Sequence, residues 1–156
     1  MTLMLWWTAV FAFLHHLAAF TLVATIVFEH AIFAPVLSVE VARKLRRIDA
    51  YYGIAAGVLV VVGFLRVFYF EKGASYYFHD AWFIVKIATF ALVGILSIYP
   101  TKVFLSWRSA LAQERPPQIT APVARAVRIC LMLELAGILV ILLAAPLMAR
   151  GIGFFG

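Results

Sequence analysis

Apolar residues run along this chain in long blocks, with polar positions collected between them. Four blocks, at roughly 5–28, 50–70, 81–105 and 123–148, approach the ~20 residues that a helix needs to cross ~30 Å of hydrocarbon. Blocks of that length predict membrane-spanning helices, because a backbone in lipid must satisfy its polar groups internally. Four spans use most of the chain, so the expectation is an all-α integral membrane protein: a four-transmembrane-helix bundle with short loops, forming one domain over 1–156. The first block has no basic leader and runs too long for the apolar core of a signal peptide, so it is expected to stay in the mature protein.

Composition agrees with the pattern, with 66% hydrophobic and 13% charged residues. The charges give orientation. Arg43, Lys44, Arg46 and Arg47 lie between spans one and two, and Lys102, Arg108, Arg115, Arg125 and Arg128 lie between or beside spans three and four. Basic segments stay cytoplasmic, which places both termini outside. The net charge of +6 is therefore a topology signal and an attraction to anionic head groups. Nothing in its arrangement calls for nucleic acid. Cys130 stands alone within span four, so no intrachain disulfide can form.

Between the spans, Ser38 and Glu40 predict a helix start that would carry the basic cluster into span two with little break. The stretch 113–122 holds three of the six prolines and reads as the main loop. Trp6, Trp7, Tyr69, Tyr76, Tyr77 and Trp82 are placed to form an outer aromatic belt, and Tyr51, Tyr52 and Trp107 an inner one. Gly53 and Gly57 have the spacing for close helix approach, expected inside the bundle.

Ionisable residues inside a membrane are costly and mark function by default. His15 and His16 fall near the middle of span one, with His15 about 15 Å deep. Glu134 is about eleven residues into span four, near the same level, while Arg66 and Lys86 lie roughly 6–8 Å below the outer surface. At 100° per residue, Thr8, Ala18, Thr25 and Glu29 fall within roughly 80° of His15, so His15 is the inward histidine. Glu29 is within reach of Arg43 or Arg47, and Cys130 and Met132 are expected in the packed core. One imidazole beneath two cations suits haem b or another porphyrin: His15, with His16 as the alternative, would bind the iron, and Arg66 and Lys86 the propionates. Glu134 and Lys86 would then carry any proton chemistry. Spans two to four contain no histidine, so a bis-histidine haem within one chain is excluded; a second ligand such as Met132, a five-coordinate iron or a haem between subunits remains.

The runs LHHLAAFTLVATIVFEH, ARKLRRIDAYYGIAAG, GFLRVFYFEKGASYY, FIVKIATFALVGILSIYPTKVFLSWR and PLMARGIG resemble a family of bacterial membrane proteins, domain of unknown function 2214, over nearly the whole chain. More remotely, His15 before small and apolar residues, with Trp82 ahead of Lys86, is similar to the CopD-like group that includes HemJ-type protoporphyrinogen oxidases. The first span departs from that pattern by lacking its Trp and later Arg, with Glu29 near the Arg's place. These resemblances imply a multi-pass protein of the bacterial inner membrane that binds haem b. If an enzyme, it would be a haem-dependent membrane oxidoreductase with a membrane redox partner. Two other classes stay open: a proton or cation pathway through His15 and Glu134, and a non-catalytic assembly subunit, in either case as a homo-oligomer or alone.

Overall fold

The computed structural model describes residues 2–71 and 73–156. Among them every regular element is helical: α1 (Thr2–Ile32), α2 (Val39–Leu65) continued by a π-helical turn (Arg66–Phe70), α3 (Ala74–Phe78), α4 (Ala81–Ser106), α5 (Arg108–Ala112) and α6 (Ala121–Ala149). Four stretches are long and apolar enough to span a membrane: Leu3–Ile32, Val39–Phe70, Ala81–Ala112 and Ala121–Ala149.

Local chemistry sets the helix ends. The Ser38 hydroxyl accepts the Val41 N–H at 3.2 Å, and no breaker follows, so α2 runs unbroken through the basic cluster into the second span. Asp80 caps α4 by accepting the N–H groups of Trp82 and Phe83 at 2.9 and 3.2 Å. Pro122 opens α6, where its missing N–H costs nothing. The Asp80 cap is fully buried. Asp80→Ala should therefore cost about 1–2 kcal/mol of stability. Asp80→Asn, which keeps the cap acceptor, should cost much less; thermal unfolding in detergent measures both.

Packing is organised as two antiparallel hairpins. The α1–α2 and α4–α6 contacts are the most extensive, and α1–α6 and α2–α4 contacts join the pairs into a four-helix bundle. The core lies mainly toward the basic end, where Leu22, Ile26, Leu45, Phe104, Val127 and Leu131 interlock. Arg43 ties that end together by donating to the Leu111 carbonyl at 2.8 Å and pairing with Glu114 at 2.6 Å. Large apolar side chains such as Phe13, Phe20, Val61, Ile95 and Leu139 point outward, as a lipid-facing surface requires.

At the opposite end, α3 and the C-terminal residues form a cover. Ala81 N–H donates to the Gly153 carbonyl at 3.1 Å, Phe155 N–H donates to the His79 carbonyl at 3.0 Å, and Tyr76 stacks on Phe154. Gly153 adopts φ +92°, and a Cβ there would lie 3.0 Å from the Trp82 ring, so both backbone and space require glycine.

Several sequence expectations change here. Gly53 and Gly57 face outward, with nothing within 4 Å of where a Cβ would be, while the close helix approach within the bundle occurs at Gly137. Tyr52, Trp107 and Tyr77 are buried in the bundle instead of forming belts, and Met132 is turned outward. Each error has one cause: depth along a span can be counted from sequence, whereas rotation about its axis depends on which neighbours the helix meets.

Candidate functional site

The helix pairing sorts the ionisable residues into two groups. The His15 ring lies against Gly63, with Cε1 3.6 Å from where a Cβ would be, so α1 and α2 are aligned at that point. Fourteen residues further in along each, about 21 Å, Glu29 comes level with Asp49. Gly137 packs between Thr89 and Val93, which puts Glu134 roughly 12 Å inward of Lys86. Glu134 therefore does not join His15, Arg66 and Lys86 as its counted depth suggested. The count missed because distance from a span's end does not fix how far α6 slides along α4, and because side chains lean toward a helix's N-terminus, which for α6 is the inner end.

The inner group consists of Glu29, Asp49, Tyr52, Thr101 and Glu134, drawn from all four long helices. Glu29 and Glu134 are each 1% exposed and Asp49 7%. Thr101 Oγ1 donates to Asp49 Oδ1 at 2.7 Å. The Tyr52 hydroxyl is set against the Glu134 carboxyl, and each of the three carboxyl groups lies within electrostatic reach of the other two. Glu29 Oε1 and Glu134 Oε1 are buried without a hydrogen-bond partner among the described residues. The expected Glu29 pairing with Arg43 or Arg47 is absent: Arg43 is engaged by Glu114, and Glu29 points into the bundle. The nearest cation is Arg46, one turn inward of Asp49, with its Nε buried and unpartnered. Pro100, also fully buried, interrupts the α4 ladder next to Thr101 and frees the Leu96 carbonyl.

Asp49 and Tyr52 were not singled out from sequence. Asp49 follows four basic residues and reads as surface charge; Tyr52 reads as an interfacial aromatic. The available signal was their spacing, since positions 49 and 52 share a helix face with Ala42, Leu45 and Ala55.

The outer group holds His15, Arg66 and Lys86. Both cations are within electrostatic reach of the imidazole, and they are within reach of each other. Arg66 opens the π-helical turn and pairs with Glu71 at 2.5 Å. Such turns cluster at functional positions because they rotate a side chain out of the regular helical register. His15 Nδ1 and Arg66 Nε are buried without partners among the described residues. His16 points away, its Nδ1 2.7 Å from the Ala12 carbonyl, and is exposed on the lipid side. Tyr77, from α3, sits close to Glu71 and Arg66, and burial, with the Glu71 charge, pushes its phenol up to about 12. It is a hydrogen-bond donor throughout the working pH range. An apolar layer that includes Leu22, Ala55, Val93 and Ile138 separates the two groups.

A haem would make two demands of the outer group, an imidazole for iron and cations for propionates; His15 would answer the first and Lys86 the second, with Arg66 already paired to Glu71. Among the described residues no group of three or more His, Cys, Asp or Glu side chains is arranged to hold a metal ion directly.

These features define a small polytopic membrane protein that keeps ionisable side chains from all four spans inside its bundle. The chain belongs to the family described as predicted membrane protein DUF2214, which matches residues 7–153. No curated protein and no solved structure matches it.

Proposed function

We propose that this protein is a gated intramembrane proton pathway. The observation that carries the reading is the set of three buried carboxyl groups, from three helices, with no paired cation. Several like charges at close range in a low-dielectric core repel strongly, and an unpaired buried charge costs several kcal/mol. Such a group holds protons and passes them on as its neighbours change state. Chains of Asp, Glu and His inside membranes serve this purpose in pumps and transporters.

The residues divide the work by position. Arg46 and Asp49 face the basic, cytoplasmic end; Glu29 and Asp49 exchange a proton there, Tyr52 links them to Glu134, and Glu134 is the carrier nearest the apolar layer. The apolar layer is the gate. His15 receives the proton beyond it. In proteoliposomes with an entrapped pH-sensitive dye, the protein should dissipate an imposed pH gradient faster than protein-free vesicles. Equal rates at both polarities of the gradient and of membrane potential would overturn the reading.

A second reading is favoured by the outer group: haem b held by His15, with Arg66 and Lys86 on its propionates. When bound, the group would supply one-electron chemistry. This chain's residues would fix its edge and exclude water. The protein purified from haem-supplied cells should then show a Soret band that His15→Ala removes and His16→Ala leaves. A featureless spectrum, or a band that survives His15→Ala, argues against it.

A further inference from the structure

We infer that Lys86, Arg66 and His15 form a binding site for a singly charged oxyanion, a carboxylate or phosphodiester, carried into the outer leaflet on an apolar body. The charges at this site do not balance. Arg66 is neutralised by Glu71 at 2.5 Å, whereas Lys86 has no carboxylate or hydrogen-bond acceptor among the described residues. Lys86 is half-buried, five residues inside the start of α4, or about 8 Å below it.

An isolated lysine at that depth would ordinarily snorkel, since its side chain leans toward the outer end of α4. Along that path the outer end of α4 is packed by aromatics from α3. Tyr77 packs on Phe83 with ring centroids 5.2 Å apart, Phe78 packs on Phe83 at 5.6 Å, and both aromatics come from α3. The ammonium is within electrostatic reach of a second cation and of the His15 ring, whose Nδ1 has no partner among the described residues. One anion would complete the set: it would face the Lys86 ammonium, take a charge-assisted bond from the free Arg66 Nε–H and accept a hydrogen bond from His15 Nδ1–H.

The apolar body follows from the surroundings. Phe11 stacks on Phe70 beside the π-helical turn, with centroids 4.6 Å apart, and the outward faces of α1 and α2 here are Phe64, Phe68 and Trp7. A charged head at this depth with an acyl chain along those faces leaves no polar group in hydrocarbon. The inference is independent of proton conduction and of any iron.

Native mass spectrometry of the protein in mild detergent tests it, with phosphatidylglycerol, oleate, phosphatidylcholine and inorganic phosphate as separate probes. Phosphatidylglycerol or oleate should be retained at one equivalent, and Lys86→Gln should weaken that retention about tenfold. Lys86→Arg should keep it, as should Arg47→Gln at the opposite basic end. Retention of inorganic phosphate that depends on Lys86 would support the site with a soluble anion as its source. Equal retention by wild type and Lys86→Gln, or retention of phosphatidylcholine that is equal to that of phosphatidylglycerol and indifferent to Lys86→Gln, would overturn it.

Discussion

Glu134→Gln should lower proton flux by at least about tenfold while leaving the folded protein as stable as before, or slightly more so. Glutamine fills the same volume and can still meet the Tyr52 hydroxyl, so packing in the 1% exposed pocket is kept. What it lacks is an exchangeable carboxyl proton. Because the carboxyl group has no paired cation, removing its capacity for charge takes away a liability without breaking an ion pair. Glu134→Asp retains the chemistry on a shorter arm and should keep a measurable fraction of the flux. Glu134→Ala differs again: it opens a void and strands the Tyr52 hydroxyl, costing roughly 1–3 kcal/mol. Flux in proteoliposomes and unfolding in detergent must be measured on the same preparations. A merely structural Glu134, as in an assembly subunit, predicts the opposite division: Gln harmless to flux, Ala harmful to folding and to flux in proportion.

The pattern of apolar blocks contains the four spans to within a few residues, since length and hydropathy decide whether a helix crosses a membrane. The start of α2 at Val39, well before the apolar block near residue 50, was legible from the Ser38 cap and Glu40 and not from hydropathy, because the helix continues past the lipid boundary. Within α1 the face was also legible. Ala18, Thr25 and Glu29 are buried and His16 is exposed, because a single helix has one geometry whatever it packs against. Assembly between helices was not legible. Whether Glu134 meets Lys86 or Asp49 depends on how far α6 slides past α4, and Gly137 sets that by letting Val93 approach. One chain cannot announce such a register through composition. The inner carboxyl group was hidden for the same reason: Glu29, Asp49 and Glu134 are far apart in sequence, and each alone resembles a charge at a span's edge.

Gly137→Ala should be among the most damaging single-methyl additions in the protein. A Cβ at that position would lie 2.4 Å from Val93 Cγ2 and 3.5 Å from Thr89 Cγ2. Val93 is 3% exposed and β-branched, so its side chain has neither space nor an alternative rotamer to yield into. The α4–α6 seam must open instead, and in a membrane, where packing replaces the hydrophobic effect between helices, the loss should be about 1–3 kcal/mol. Since Glu134 lies one turn inward on α6, the same opening should loosen its contact with Tyr52 and change proton flux. Val93→Ala removes the obstructing methyl group. Alone it should destabilise through lost packing, but combined with Gly137→Ala it should restore most of the stability, giving a coupling of about 1 kcal/mol or more in a double-mutant cycle. Gly53→Ala and Gly57→Ala supply the contrast, for nothing lies within 4 Å of either new methyl group. Both should be neutral or stabilising by up to about 1 kcal/mol, because alanine is the better helix former. Additive behaviour of the Gly137 and Val93 substitutions, or a Gly53→Ala loss as large as that of Gly137→Ala, would show that the seam between α4 and α6 is not closed in this register.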